Sequence, residues 1–174
     1  MGAKQRSMDC DDDAFARIVL TLNGPCACSP RFAPGEAEGI KIAMPKRVPM
    51  RIVDGSVAPQ ARLPLCIAAQ FNELFLSQFH PRPLRQVLRL VLVDEERGKT
   101  FAGSPWRERS YRADAAPNFS DEQLAARMAT HFWNVNVFEF VRLPVRAARY
   151  TVHVALGDRR SDPRTVELTV KLGP

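Results

Sequence analysis

The stretch that most constrains the fold is RYTVHVALGDRRSDPRTVELTVKL, residues 149 to 172. Apolar residues occupy every second position of its first and last runs, and a polar segment separates the two runs. Alternation with a period of two is typical of a half-buried β-strand, and the polar break is typical of a turn. The pattern predicts a closing β-hairpin with one buried face. The predicted inward side chains are Tyr150, Val152, Val154, Leu156, Val166, Leu168 and Val170.

Similar runs recur upstream of this hairpin. The predicted strands cover residues 15–22, 39–44, 47–57, 62–72 and 131–143, and a further hairpin covers 85–101. Asp54-Gly55 is a turn signal within the third of these runs. Residues 62–72 are apolar on both faces, so we expect this strand to lie deep. Residues 73–83 fit neither a strand nor a helix pattern, which leaves about eight predicted strands.

One short helix is predicted between residues 120 and 130. Ser120 can cap its first turn, and Gln123 three residues later completes a capping box. Leu124 and Met128 lie four residues apart and therefore face the same way. A helix of this length depends on packing for its stability.

These elements predict a mainly β fold with antiparallel sheets, because no strand–helix–strand alternation is present. The spacing of strands and turns indicates a β-sandwich, with closure into a barrel as the alternative. The 174 residues, 45% of them hydrophobic, fit a single domain. We assign this domain to residues 14–174, preceded by a flexible polar tail at residues 1–13.

The stretch LPVRAARYTVHVALGDRRSDPRTVELTV resembles the last two strands of a bacterial immunoglobulin-like or fibronectin type III-like module. In such modules a proline-containing loop leads into a tyrosine-bearing strand, and a turn leads to a valine-rich final strand. The resemblance covers about residues 143 to 172 and implies an immunoglobulin-like β-sandwich. The Cys…Trp…Cys pattern of antibody domains is missing, and the resemblance implies no functional residues.

Four cysteines, Cys10, Cys26, Cys28 and Cys66, permit three disulfide pairings, but the chain is not a short secreted scaffold. We therefore expect Cys26 and Cys28 to be free thiols and Cys66 to be a small buried apolar residue. The C-x-C pair lacks a second ligand pair at zinc-site spacing, and His80, His131 and His153 are isolated. The sequence therefore predicts no metal site.

No catalytic motif is present. The sequence contains no G-x-S-x-G, no phosphate-binding loop and no dinucleotide fingerprint, which argues against an enzyme and predicts no cofactor. Asp94 and Glu96 lie in a predicted hairpin turn, where solvation is expected to keep carboxyl pKa values ordinary. His153 is predicted to face solvent, and His80 and His131 are interpreted as structural residues.

The polar stretch SPWRERSYR, residues 104 to 112, is the predicted binding site. Its aromatic and arginine side chains alternate: Trp106, Arg107, Arg109, Tyr111 and Arg112. This composition is typical of protein–protein hot spots, and flat rings with donors also suit sugars or bases. The alternative is that Trp106 plugs one end of the sandwich among solvated arginines. Phe132, Phe138 and Phe140 would form a second aromatic surface, unless the helix covers it.

The predicted function is a non-enzymatic interaction module that binds a protein partner through loops or an edge strand. The alternative is a module that binds carbohydrate or another ligand through residues 104–112. Nucleic-acid binding is less supported, because the net charge of +6 comes from scattered basic residues without a block of like charges. No run of 18 apolar residues and no signal sequence is present, so we expect a cytoplasmic protein that does not bind a membrane. The sequence leaves a removed signal, another route of secretion and the oligomeric state open.

Overall fold

A computed structural model describes residues 10–20, 23–58, 61–106 and 118–172. This part of the chain is mainly β. Its strands are β1 (Gly39–Ala43), β2 (Arg47–Val53), β3 (Ser56–Val57), β4 (Pro64–Asn72), β5 (Leu88–Asp94), β6 (Thr100–Gly103), β7 (Met128–Asn136), β8 (Ala148–Leu156), β9 (Arg159–Arg160) and β10 (Arg164–Leu172). Its α-helices are α1 (Asp12–Arg17), α2 (Glu73–Ser77), α3 (Leu84–Val87) and α4 (Asp121–Ala125).

The strands form two sheets, neither of which closes on itself. The smaller sheet has the order β1-β4-β7 and is antiparallel throughout. The larger sheet has the order β3-β2-β10-β8-β5-β6, and β9 pairs with β8. The prediction of purely antiparallel sheets is wrong at one position, because β2 and β10 run parallel with Val48 opposite Leu168. Strands so distant in sequence are not joined by a tight turn, so local patterns carry no information about their relative direction.

The predicted closing hairpin is confirmed as β8 and β10. Val166 lies opposite Tyr150, and the predicted inward residues from Tyr150 to Leu168 are buried. Val170 differs, because 37% of its surface is exposed. The pairing of β8 with β10 ends where Leu168 lies opposite Ala148, so Val170 extends beyond the hairpin.

Side chains of both sheets form one main hydrophobic cluster. It contains alternate residues of β5, such as Leu90 and Leu92, and alternate residues of β4, such as Leu65 and Ile67. The other face of β4 also lies under protein, because Cys66 belongs to a second cluster with Phe15, Ile18 and Cys28. The prediction that residues 62–72 lie deep is therefore confirmed, and the reason is that β4 separates two clusters.

The second cluster is formed by side chains from residues 10–20 and 23–28, which we name the covering segment because they pack on Cys66 and Ala43 at the outer face of the smaller sheet. The strand predicted at residues 15–22 is wrong: α1 ends at Arg17, and residues 21 and 22 lie outside the described part. Asp11 caps α1 by accepting a hydrogen bond from the Ala14 N–H at 2.7 Å, and two aspartates in the first turn favour the helix electrostatically.

Residues 10 to 13, at the end of the predicted tail, contact the rest of the fold. The Asp12 carboxylate accepts hydrogen bonds from the backbone N–H groups of Lys46 at 2.7 Å and Arg47 at 3.1 Å. Cys10 is joined to Cys28 by a disulfide. These links fasten the beginning of the covering segment to the start of β2 and to its own later part.

The predicted helix is confirmed but is shorter than residues 120–130. Its capping box between Ser120 and Gln123 is present, and α4 ends at Ala125 because β7 begins at Met128. The strand predicted at 131–143 correspondingly ends at Asn136 and is followed by a 3-10 helix, Val137–Glu139. The phenylalanines at 132, 138 and 140 therefore do not share one strand face, and each is half-buried.

Within the described residues, no helix is both long enough and apolar enough to cross a membrane.

Candidate functional site

The predicted site at residues 104–112 is described only at its start. Trp106 is half-buried and follows β6, whereas Arg107, Arg109, Tyr111 and Arg112 lie outside the described residues. The Ser104 hydroxyl donates hydrogen bonds to the carbonyl oxygens of Arg85 at 2.8 Å and Gln86 at 3.0 Å. This part of the chain therefore lies beside α3, the helix that directly precedes β5.

A cleft of about 290 Å³ lies at the opposite end of the β5–β6 hairpin, and we name it the hairpin cleft. It forms between the turn after β5 and the segment before β8. Its lining residues are Asp94, Arg97, Lys99, Phe101, Arg142, Leu143, Pro144 and Arg146. The pairing of β5 with β8 places Asp94 opposite Tyr150 and thereby brings the two loops together.

Asp94 lies at the base of the cleft with only 1% of its surface exposed. Its Oδ1 atom accepts hydrogen bonds from the backbone N–H groups of Glu96 at 3.1 Å and Arg97 at 3.2 Å. Its Oδ2 atom accepts a hydrogen bond from Arg146, whose other terminal nitrogen lies 3.2 Å from Glu96. The prediction that Asp94 is solvated like Glu96 is wrong, because Asp94 continues the inward face of Leu88, Leu90 and Leu92.

These contacts determine the charge of the pair. Burial alone would raise the pKa of the Asp94 carboxyl, but the hydrogen bonds from Arg97, Arg146 and Glu96 together lower that pKa below its ordinary value. Burial alone would lower the pKa of the Arg146 guanidinium, but its hydrogen bond to Asp94 raises that pKa above its ordinary value. Both groups therefore stay ionised near neutral pH.

Two buried donors, one of them within this pair and one beside it, have no hydrogen-bond partner among the described residues. They are the hydroxyl of Tyr150 and the Nε atom of Arg146. Tyr150 packs edge to face against Phe101, with ring centroids 6.1 Å apart, and Phe101 lines the cleft. Burial raises the pKa of Tyr150, so its hydroxyl keeps its proton and remains a donor.

The rim of the cleft is cationic. Arg97, Lys99 and Arg142 are exposed, and none of them makes an ion pair within the described part of the chain. Lys99 lies over the ring of Phe101, with Nζ 5.4 Å from the ring centroid. The cleft therefore combines unneutralised positive charge with an apolar wall.

A larger groove of about 540 Å³ lies between residues 32–38 and the smaller sheet, where Gln70 of β4 and Met128 of β7 line it. Its charged groups are already paired. Glu36 forms a salt bridge of 2.6 Å with Lys41, and Glu38 accepts hydrogen bonds from the backbone and side chain of Asn72. The larger groove thus offers less free charge than the hairpin cleft.

The cysteines form a separate cluster between the covering segment and β4. The expectation of a free Cys28 is wrong, because Cys28 forms a disulfide with Cys10. Cys26 is a free thiol, and its Sγ atom lies 3.5 Å from that of Cys66, which is fully buried. Asn134, opposite Cys66 on β7, accepts hydrogen bonds from the Cys26 thiol at 3.3 Å and the Ser29 hydroxyl at 3.5 Å.

The histidines lie apart from these sites. His131 stacks on Trp133 with ring centroids 5.7 Å apart, and burial lowers its pKa. His153 is half-buried, and burial followed by the charge of Arg160 lowers its pKa too. No group of three or more His, Cys, Asp or Glu residues in the described ranges could hold a metal ion.

No family model matches this sequence, and the chain matches neither a curated protein nor a solved structure. Its function therefore has to be argued from the geometry of its own side chains.

The cleft residues were not found from the sequence because they come from two distant loops. Arg97 and Lys99 follow β5, whereas Arg142 and Arg146 precede β8. In the sequence, the one feature that points to the cleft is the high density of charged residues at positions 94–99. Only the pairing of β5 with β8 shows that these residues lie beside the loop before β8.

Proposed function

We propose that this chain is a non-enzymatic protein-binding module, built as an immunoglobulin-like β-sandwich, which receives an acidic segment of its partner in the hairpin cleft. The observation that carries the proposal is the combination of unpaired Arg97 and Arg142 with an apolar wall containing Phe101. Arginine and aromatic side chains are enriched in the hot spots of protein–protein interfaces. The same groups give no nucleophile, base or metal ligand set.

The chemistry of the cleft favours carboxylates. A guanidinium binds a carboxylate through two parallel hydrogen bonds, and Arg97 and Arg142 have no acidic partner within the described residues. An exposed ion pair contributes only about 0–1 kcal/mol. Apolar contact with Phe101 and Leu143 would supply further affinity, while the charges speed association and select an acidic partner.

Loops are a better candidate for binding than the edge of β6. The backbone of Phe140 lies against Gly103, where an added Cβ would come within 2.1 Å of the Phe140 carbonyl oxygen. The segment before β8 therefore already crosses this end of the edge strand. A partner can reach the turn after β5 without displacing the segment before β8.

The proposal is tested with a fluorescently labelled glutamate-rich peptide and a glutamine-rich peptide of equal length. Fluorescence anisotropy is recorded at low and high salt. We expect the full chain to bind the acidic peptide only, and more weakly at high salt, because screening reduces interactions between exposed charges.

The variant Arg97→Ser/Arg142→Ser should bind the acidic peptide about tenfold more weakly, which corresponds to about 1.4 kcal/mol. The matched control is Arg51→Ser/Arg82→Ser, which removes the same charge from exposed positions outside the cleft. The control should keep the affinity of the unmodified chain. Equal weakening by both variants would mean that net charge alone attracts the peptide, and absence of binding would refute the proposal.

A further inference from the structure

Cys26 and Cys66 belong to different layers of the molecule although their sulfur atoms are close. Cys26 lies in the covering segment and is half-buried, whereas Cys66 lies on the central strand β4 and is fully buried. Their Sγ atoms are 3.5 Å apart, and they are separated by 40 residues in sequence. A disulfide bond needs about 2.05 Å, so its formation requires the two sulfurs to approach by about 1.5 Å.

The surroundings of Cys26 hold its sulfur in this position. The Cys26 backbone N–H donates a hydrogen bond of 2.8 Å to the Ser29 hydroxyl, which itself lies 3.4 Å from the Cys26 sulfur. The Cys26 thiol donates to Asn134 Oδ1 at 3.3 Å, and the Asn134 amide donates to the Gly24 carbonyl oxygen at 2.9 Å. Asn134 thus connects the loop carrying Cys26 with the smaller sheet beside Cys66.

We propose that Cys26 is an oxidation site for hydroperoxides and that Cys66 is its resolving partner, so that oxidation joins the covering segment to β4 through a Cys26–Cys66 disulfide.

The reaction balances with a hydroperoxide as the only oxidant. Cys26 loses its thiol proton to solvent, and its thiolate attacks one peroxide oxygen. The O–O bond breaks, Cys26 becomes a sulfenic acid, and the other oxygen leaves as hydroxide or alkoxide and takes up a proton from solvent. The sulfur of Cys66 then attacks the Cys26 sulfur, the S–O bond breaks, and the Cys66 proton joins the departing hydroxide to give water. Two thiols are oxidised to one disulfide, and one peroxide is reduced.

The order of the two steps follows from access. Cys26 is half-buried and can meet a small peroxide, whereas Cys66 has no exposed surface. Burial, together with the neighbouring Cys26, raises the pKa of the Cys66 thiol far above its ordinary range, so Cys66 remains protonated and does not react first. Its one reactive neighbour at contact distance among the described residues is Cys26.

The bond would add a second covalent link to the covering segment. The Cys10–Cys28 disulfide closes a loop within this segment, whereas a Cys26–Cys66 disulfide would join the segment to the sheet. Closing this longer loop restricts the unfolded chain, so oxidation should raise the urea midpoint.

The test exposes the full chain to hydrogen peroxide, blocks remaining thiols and maps tryptic peptides by mass spectrometry. Trypsin leaves Cys10, the pair Cys26 and Cys28, and Cys66 on three different peptides. Before oxidation we expect the first two peptides to be joined through Cys10–Cys28. After oxidation all three should be joined, and the urea midpoint of the protein should rise.

Single variants separate the two roles. In Cys66→Ser we expect a sulfenic acid at Cys26 that dimedone traps, whereas in Cys26→Ser we expect neither dimedone labelling nor a new disulfide at Cys66. A far-ultraviolet circular dichroism spectrum equal to that of the unmodified chain confirms that each variant is folded. Dimedone labelling of Cys66, further oxidation of Cys26 beside a free Cys66, or a Cys26–Cys28 bond that releases Cys10 would overturn the proposal.

Discussion

At the scale of single residues, Gly103 illustrates how closely two backbone segments approach. An ideal Cβ at this position would lie 2.1 Å from the carbonyl oxygen of Phe140 and 2.9 Å from its carbonyl carbon. A flexible side chain could rotate to relieve this clash, but backbone atoms cannot. Gly103→Ala should therefore destabilise the fold by about 1–3 kcal/mol. Equilibrium urea unfolding measures this change.

The matched control for Gly103 is Gly39→Ala, at a strand glycine whose added Cβ would meet no atom within 4 Å. We expect this control to be neutral or to stabilise by up to about 1 kcal/mol, because alanine restricts the unfolded chain. Equal losses in both variants would show that the contact with Phe140 is not the cause.

Asn134 and Asn136 show how far sequence reasoning reaches at this scale. Alternation along their strand predicts that Trp133 and Val135 face the core, because Asn134 and Asn136 could be buried only with hydrogen-bond partners for their amides. Trp133 and Val135 are buried as predicted, but both asparagines are buried as well: Asn136 accepts from the Leu63 N–H at 2.9 Å and donates to the Ala61 carbonyl at 3.0 Å. The identity of these partners depends on chain segments distant in sequence, which a local pattern does not contain.

At the scale of elements, the β5–β6 hairpin was predicted from its alternation, but the role of Asp94 in its turn was not. Asp94→Asn keeps an acceptor for the turn N–H groups and removes the charge that pairs with Arg146. Because the folded state lowers the pKa of Asp94, its carboxylate stabilises the fold above the ordinary value of about 3.8, and this contribution is lost as the pH falls through the folded pKa. The variant should therefore be less stable than the unmodified chain at pH 7, and the difference should shrink in acid.

Urea midpoints of both proteins between pH 7 and pH 2 measure this difference. The control is Asp162→Asn, an exposed aspartate in the loop between β9 and β10. Its stability should stay parallel to that of the unmodified chain over the whole range. A constant gap for Asp94→Asn down to pH 2 would show that the ion pair with Arg146 does not stabilise the hairpin.

At the scale of the whole molecule, strands whose signal is local were predictable, and relations between distant segments were not. The hairpin of β8 and β10 follows from adjacent alternating runs, whereas the parallel contact of β10 with β2 and the covering segment on β4 depend on tertiary packing. The strand expected at residues 15–22 failed for the same reason. Phe15 and Ile18 lie three residues apart and are buried against the outer face of the smaller sheet, whereas Val19 is exposed, so the burial in this stretch does not have the period of a strand.

The division into two hydrophobic clusters leads to a prediction about local unfolding. The covering segment contributes only the small second cluster, so it should open at lower free energy than the main core. Cys10 and Cys28 are separated by 18 residues, and a disulfide closing a loop of this size contributes about 3 kcal/mol. Each 1.4 kcal/mol corresponds to about a tenfold change in rate, so in Cys10→Ser/Cys28→Ser the amides of α1 should exchange with deuterium up to about 100-fold faster.

Amides of β8, inside the main cluster, should keep their rates in hydrogen–deuterium exchange measured by mass spectrometry. Equal acceleration of α1 and β8 would show instead that the two clusters unfold as one cooperative unit.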